Sequence, residues 1–515
     1  MTVGPPLPLS VRRRAATRLL RRAIRHPRAA AEALRTMVAI GGGRPTEDVY
    51  RAVLDEALAH GDRSAARARL LEPSGPPGSA AAIRRARALE VFASGLPADR
   101  ARAERAVATF LRQRPSSRET AGRGPAGAAA EASAAAGRLR AEGHDQPAIV
   151  LTLSALEGNP YTELMEQRYE AHALAPVHVD TLADAAAVVA AREAGGYGAV
   201  LLVNASNRLI WSTGDDAAAM AAARSALATL DEWRAAGVPL VVSVHDGPIL
   251  RPIHAEAEQA IAQGIADRAA AVHLLTASTP AALGSWITLD PARSVHIPIP
   301  NYDGIYGPPP DRAGARASLG VDPRDPADAG PGSEILVGMI GLLSSRKGPR
   351  LLVDALARVP DPLPDGRRLR LLLAGRVIEP GGEDLIRAAY ADRRLVPRFG
   401  FVPDDRMPAL LAALDVAVVP YRRFLNSSWL SLALTASIPA IAPAGGMAAE
   451  TVRPGALLTF EGASVASLAA ALARSGELVT PLARSEARAS VADLASLAIS
   501  DRFAELLRGV VDSAG

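Results

Sequence analysis

Two doubly wound α/β domains, preceded by an all-α extension, are predicted for this 515-residue chain. Three observations predict them. Between 146 and 300, short apolar runs without strict alternation separate longer helical stretches, the pattern of a parallel sheet covered on both faces. Between 334 and 480 the same pattern repeats. Before 145 the apolar residues instead recur three and four apart, and the whole stretch reads as helical.

Taken in order, the extension 1–145 carries helical periodicity at 12–38, 47–60, 79–94 and 99–112. Breakers part these helices: Gly41-Gly42-Gly43, the Pro/Gly-rich 73–78, and Pro115-Ser116-Ser117. Residues 121–137 are rich in Ala and Gly with little to bury, and read as a linker. In the domain 146–300, strands are expected at 148–153, 199–203, 239–244, 271–276 and 294–298, with helices at 161–174, 215–236 and 255–267. Residues 301–333, rich in Pro, Gly and Asp, form an interdomain linker with a mobile middle at 322–332. The domain 334–480 has strands at 335–340, 369–373, 396–399, 416–419 and 440–442. A helix at 484–509, within the closing segment 481–515, is expected to reach back and brace the other lobe.

Composition narrows the function classes. Hydrophobic residues are 49% and charged residues 22%, ordinary for a soluble globular chain. The absence of cysteine excludes disulfides, thiolate metal sites and cysteine nucleophiles, and fits a reducing cytoplasm. No apolar run is long enough to cross a bilayer, and the basic start lacks the apolar core of a signal peptide. Residues 1–35 hold nine Arg and one acid, Glu32, with Val11, Leu19, Leu20 and Ile24 interleaved. This segment reads either as a basic amphipathic helix lying on the anionic inner face of the plasma membrane or as a solvated tail. Nucleic-acid binding is disfavoured, because no aromatic interleaving or binding motif accompanies the arginines.

Ligands of doubly wound sheets bind beyond the carboxyl ends of the strands, so the loops there are the candidates. The first, Gly341-Leu342-Leu343-Ser344-Ser345-Arg346-Lys347-Gly348, places Arg346 and Lys347 after a strand, with Lys347 opening a helix. Cations backed by free helix N–H groups make an anion site suited to a diphosphate; the alternative is a solvated basic turn. The second, running from Tyr421 to Trp429, offers Asn426, Ser427 and Ser428 as phosphate donors or as simple helix caps. In the third, Gly400-Phe401-Val402-Pro403-Asp404-Asp405, the backbone is free to meet a flat base edge or to serve only as a connection.

Taken together these loops carry a resemblance. Segment 335–460 resembles the C-terminal domain of family 4 glycosyltransferases of the GT-B fold. The carrying residues are Gly341 with Lys347-Gly348, Leu371-Leu372-Leu373-Ala374-Gly375, the run from Phe399 to Asp405, Asp415 through Pro420-Tyr421, Ile438-Pro439-Ala440-Ile441-Ala442-Pro443, and Glu450. The stretch from Val295 to Tyr306 is similar to the interdomain crossing of a bacterial exopolysaccharide-type branch. The earlier domain is similar more loosely, through Asn159-Pro160-Tyr161 and Val244-His245-Asp246.

The resemblance implies sugar transfer from a nucleoside diphosphate sugar, with retention at the anomeric carbon and without a metal or other cofactor. It implies a glycan or lipid-linked acceptor, in cell-surface polysaccharide or glycolipid synthesis. It places Gly341, Arg346 and Lys347 at the diphosphate, and Asn426, Ser427 and Ser428 at its distal phosphate. Phe401 and Val402 fall at the base, Glu450 also at the donor, His245 at the donor sugar and its departing oxygen, and Gly158 and Asn159 in the loop facing donor and acceptor. No Asp-x-Asp stands at a strand end; Asp404-Asp405 and Asp215-Asp216 read as helix starts.

The chain departs from the family pattern in places. Leu342 and Ser344 stand where an arginine is usual, and Phe424 and Leu432 replace a glutamate pair. Ser428 and Ser437 replace glycines, with bulky Trp429 beside the first. Val203-Asn204-Ala205-Ser206 replaces a histidine-rich strand end. These losses keep open a second reading: a catalytically impaired relative that binds nucleotide sugar or docks a protein.

Overall fold

The structure, a computed structural model, describes residues 98–112 and 124–514 together with Ala86 and Leu89, apart from 154–159, 211–212, 246, 248–251 and 379–380. The helices expected at 12–38 and 47–60, most of that at 79–94, and the basic segment lie outside the described residues.

A first sheet contains β1 (Ala148–Leu153), β2 (Leu174–Val179), β3 (Gly198–Val203), β4 (Leu240–Val244), β5 (Ala271–Leu274) and β6 (Ser294–His296). The order is β2-β1-β3-β4-β5-β6 and every pair is parallel. All six residues of β1 are buried, which is why its sequence is an unbroken apolar run. β2 was not expected. Pro176 and His178 interrupt its apolar pattern, and an edge strand tolerates that proline because its N–H side need not pair. The helix expected at 161–174 is therefore shorter. Helix Pro160–Glu166 and a 3-10 turn at Glu170–His172 end at left-handed Ala173, and β2 follows. Helices Asp216–Ala235 and Ala255–Arg268 lie where expected, the first capped by Asp215, whose side chain accepts from the Ala218 N–H.

The expected linker at 121–137 is corrected. It is helix Gly124–Ala141, and Ala128, Ala132, Ala135, Ala136 and Leu139 are buried in the core of the first domain. Each alanine buries little area, but the row of small side chains presents a continuous apolar face at low entropic cost. The stretch thus belongs to the first α/β domain rather than to the extension.

The second sheet contains β7 (Glu334–Ile340), β8 (Arg368–Gly375), β9 (Leu395–Phe399), β10 (Val416–Val418), β11 (Ala440–Pro443) and β12 (Leu457–Phe460), in the order β12-β11-β10-β7-β8-β9. Read from β9, the strands run down to β7 and then jump to β10, so the winding reverses between β7 and β10. That reversal is a topological switch point, where the loops diverge and leave a crevice. In the first sheet the corresponding point lies between β1 and β3.

By packing, the described chain separates into two compact units. The smaller gathers helix Ala98–Arg112 with 340–345 and 371–402; the larger holds the remainder. Inside the smaller unit, Phe110 of that helix abuts Gly382, where an added Cβ would come within 3.0 Å of the ring. Glu104 is fully buried there, 3.8 Å from Arg387.

Inside the larger unit, buried Asp415 gathers three arginines. Arg316 meets it at 2.7 Å, Arg484 at 3.5 Å, and Arg312 also pairs with it. Its carboxylate also accepts the Leu336 N–H at 2.7 Å. The segment 322–332, expected to be mobile, is tied instead. The Asp322 N–H donates to Glu334, Asp325 caps helix Pro326–Ala329, and the Gly332 N–H donates to Gly366. The closing segment forms two helices, Pro481–Ala489 and Ser496–Asp512. The second lies on the first domain: the Ser500 hydroxyl donates to Met165 O, and Phe503 packs against His273 and Tyr169. No helix among the described residues is long and apolar enough to cross a membrane.

Candidate functional site

The site is built outward from the β7/β10 switch point. After β7 the chain makes a 3-10 turn, Ser345–Lys347, and then left-handed Gly348. A Cβ on Gly348 would stand 2.0 Å from Pro420 O, so only glycine lets this turn lie against the end of β10. The Arg422 N–H donates to Arg346 O across the same contact. Lys347 Nζ is held 5.7 Å above the Tyr421 ring, a cation–π pair. The Tyr421 hydroxyl lies 3.1 Å from Ser427 Oγ. Ser427 Oγ in turn accepts the Leu430 N–H and caps helix Ser428–Thr435. Lys347, Tyr421 and Ser427 thus form one chain of contacts that brings an ammonium group to a helix N-terminus.

The expectation that Lys347 opens a helix is corrected: it ends the 3-10 turn instead. Helix Pro349–Leu356 begins beyond left-handed Gly348, and its first residue has no N–H to offer. The helix N-terminus that serves this cation belongs to Ser428–Thr435 instead. Ser427 is buried and acts as a cap, while Ser428 is half-buried. Trp429 does not crowd the approach: it is buried, and its Nε1–H donates to Val418 O at 3.1 Å. Arg346 is exposed. Ser344 is buried and Leu342 is 42% exposed, and both side chains are neutral, so no cation stands where an arginine is usual. Ser437, standing where a glycine is usual, keeps a left-handed φ of 60°.

In the smaller unit, Gly341 and Gly375 close the ends of β7 and β8. The Gly341 N–H donates to Ala374 O, and a Cβ on Gly375 would meet Gly341 O at 1.7 Å. The Gly400 N–H donates to Gly375 O, and Phe401 follows with its side chain 78% exposed; Val402 is half-buried.

Within the larger unit two contacts join the first domain to the second, one to the loop before helix Ser428–Thr435 and one to helix Gly446–Thr451. His245 follows β4, and its backbone carbonyl accepts from Asn426 Nδ2 at 2.6 Å. Its ring Nε2 faces Asn204 Oδ1 at 3.2 Å, and the ring meets Tyr161 edge-on at 5.2 Å. Glu450, in helix Gly446–Thr451, reaches the other contact. Its carboxylate accepts the N–H groups of Ala277 and Ser278 at 2.7 and 2.8 Å. Burial pushes its pKa up, but the Ser278 hydroxyl and these N–H groups outweigh it and hold the carboxyl below its ordinary value. Gly158 and Asn159 lie outside the described residues.

Asn204 and Tyr421 were noticed in the sequence only as a substitution and as the end of a motif. Both now support a predicted site residue. The signal available for each was its place immediately or nearly after a strand at a switch point. Beside this site, His273 is fully buried between Ser243 Oγ and Ile297 O; burial pushes its pKa down to about 3, so it stays neutral.

Known proteins match this arrangement in part. Residues 334–475 match the family model described as Glycosyl transferases group 1. The GDP-mannose:glycolipid 4-beta-D-mannosyltransferase of Xanthomonas campestris pv. campestris is 32% identical over 132 residues, covering 25% of this chain and 36% of that protein. The 2-deoxystreptamine glucosyltransferase of Streptomyces kanamyceticus is 29% identical over 201 residues, covering 36% of this chain and 48% of it. The chain therefore spans less than half the length of these curated relatives. Among solved structures, Anabaena HepE in complex with UDP aligns with a TM-score of 0.50 at 19% identity, over 71% of this chain and 100% of its own. Sucrose-phosphate synthase from Thermosynechococcus elongatus aligns with a TM-score of 0.53 at 18% identity, over 72% and 100%. The fold is GT-B, and its second domain carries the group 1 glycosyltransferase pattern that the sequence resemblance implied.

Proposed function

We propose that the protein is a glycosyltransferase that moves a hexose from a nucleoside diphosphate sugar to a glycan or lipid-linked acceptor, with retention at the anomeric carbon. One observation carries the reading. At the switch point, Lys347 is held over Tyr421 beside the N-terminus of helix Ser428–Thr435, and Asn426 binds His245 to the same loop. A departing diphosphate gathers negative charge, and a placed ammonium with helix N–H groups lowers that barrier without rearranging.

In this reading Lys347 and Ser428 hold the phosphates. His245 faces the donor sugar, with Asn204 orienting its ring. Two aspartate pairs are accounted for as structural starts, since Asp215 caps a helix and Asp404 begins a 3-10 turn, and the reading routes no step through a metal. The glycolipid acceptor named for the Xanthomonas relative favours a lipid-linked acceptor here, and the arginines of 1–35 suit work at an anionic membrane surface from the cytoplasmic side.

Turnover tests it. The enzyme is incubated with UDP-, GDP- and TDP-hexoses without acceptor, and the released sugar is followed by proton NMR. Slow release of the donor's own anomer is expected with at least one donor; release of the opposite anomer contradicts retention. A binding-only relative is the second reading, favoured by Leu342 and by Glu450 being held by Ala277 and Ser278. Binding of a nucleotide sugar with no release and no transfer selects it.

A further inference from the structure

Helix Ala98–Arg112 precedes the matched residues 334–475 and has no part in the roles above, yet it packs within the smaller unit on helix Gly382–Ala391. Its buried face is mostly small, with Ala101, Ala103, Val107 and Ala108, and Phe110 is the largest apolar side chain on it. Two contacts fix its register. Fully buried Glu104 faces Arg387 at 3.8 Å. Nearer the helix end, Phe110 closes on Gly382: a Cβ there would stand 3.0 Å from the Phe110 ring and 2.4 Å from Val377 Cγ1. Gly382 has no left-handed φ, so it is space and not backbone that requires glycine at this point. The Phe110 ring and the Val377 side chain therefore flank the one residue that has no side chain to part them.

Val377 leads from that contact to the turn that carries Lys347. It follows β8 closely and pairs with Leu343 in an isolated parallel bridge, where the Leu343 N–H donates to Arg376 O at 2.9 Å. Both side chains are buried. Leu343 lies one short turn before Lys347 in the chain. The Lys347 turn is thus fastened at both ends. Gly348 lies against Pro420 O, and Leu343 is bonded to the loop that Phe110 braces. Close-packed interiors pass displacements on, because they hold few voids to absorb them. We infer that helix Ala98–Arg112 is a positioning element of the proposed diphosphate site. Docked, its Phe110 holds Val377, and the Val377 loop holds the Leu343 limb of the Lys347 turn. Released, the helix lets that limb loosen and diphosphate binding weaken, so the extension acts on the site as a switch. The ligand half of this inference rests on the donor-site reading above; the brace itself does not.

Two full-chain variants release the helix from different ends. Phe110→Asp puts a carboxylate into the apolar contact with Val377, and Arg387→Leu leaves the buried Glu104 without its cation while leaving Phe110 and Val377 intact. Hydrogen exchange read by mass spectrometry follows 98–112, 341–345 and, as a control, β11. The expected result is exchange faster by roughly tenfold at 98–112 and at 341–345 together, with β11 unchanged. Whichever variant frees the helix decides. Faster exchange at 98–112 with none at 341–345 overturns the inference, and so does equal acceleration at β11, which reports general instability. Wild-type exchange at 98–112 in both variants overturns it too, because the helix is then not held by these contacts. Calorimetry with UDP, GDP and TDP reads the ligand half. The diphosphate that wild type binds should bind about tenfold more weakly once 341–345 is loosened. Unchanged affinity with 341–345 loosened overturns the positioning role and leaves the donor site standing. If wild type binds no nucleoside diphosphate, the donor-site reading and the ligand half fall, while the exchange result still decides the brace.

Discussion

Replacing Gly348 by alanine probes the support of the proposed cation most sharply. The added Cβ would stand 2.0 Å from Pro420 O and 3.0 Å from Pro420 C, against backbone that has no rotamer to yield. Relief requires the turn carrying Lys347 to move away from β10 by on the order of 1 Å, enough to take its ammonium out of hydrogen-bond range of a bound phosphate. The left-handed φ of 70° adds about 1 kcal/mol of strain to the folded state. The assay pairs urea unfolding with calorimetric titration of the nucleoside diphosphate that wild type binds. Gly320→Ala is the control: its φ is 72°, and nothing lies within 4 Å of the new Cβ. It should lose about 1 kcal/mol of stability and no affinity. Gly348→Ala should lose both, with affinity down by about tenfold, no more than the loss of the Lys347 contact itself. Wild-type affinity in a folded Gly348→Ala protein would refute the argument that this turn sets the cation's place.

Three other perturbations read the frame around the site. Asp415→Asn removes the charge that faces fully buried Arg316 and should cost about 3–5 kcal/mol in denaturant unfolding, far more than a surface pair would. Ser437→Gly relieves a left-handed serine and should stabilise by about 1 kcal/mol, whereas Ser437→Ala should give no gain. His273 has a pKa of about 3 folded against 6.5 ordinarily, so the unfolded chain alone takes up that proton as pH falls from 6.5 toward 3. Stability should therefore drop over that window by up to about 1.4 kcal/mol per pH unit from this group. Its imidazole nitrogen shifts in the folded protein should stay constant from pH 7 to 5; a midpoint near 6.5 would contradict the buried, neutral assignment.

The parallel sheets were legible where strands are buried on both faces, because burial then writes itself as an unbroken apolar run. It failed at one edge of each sheet, β2 and β12, while the other edges, β6 and β9, were read. β2 carries Pro176 and His178, and β12 is four residues long with polar Thr459 exposed. Helix Leu182–Gly195 went unread although Thr181 and Asp184 form a capping box. The alanine-rich stretch before 141 was misjudged because area per residue is a poor guide when a row of small side chains packs together. At the site, Lys347 and the serines could be read from loop position. What they touch could not. The bond from Asn426 to His245 joins residues 181 apart, and the hold of Glu450 on Ala277 and Ser278 joins residues 173 and 172 apart. Such pairs exist only once the fold has brought the strand ends together. Gly348 was read as part of a motif; its reason, the carbonyl of Pro420, is likewise tertiary.

The central claim is that Lys347, seated on Tyr421 at the β7/β10 switch point, holds a nucleoside diphosphate. Calorimetric titration of UDP, GDP and TDP into wild type and Lys347→Ala tests it most directly. The account predicts binding of at least one diphosphate by wild type and a loss of tenfold or more, on the order of 1.5–3 kcal/mol, in the variant. No binding by wild type, or equal affinity in a folded Lys347→Ala protein, would contradict it.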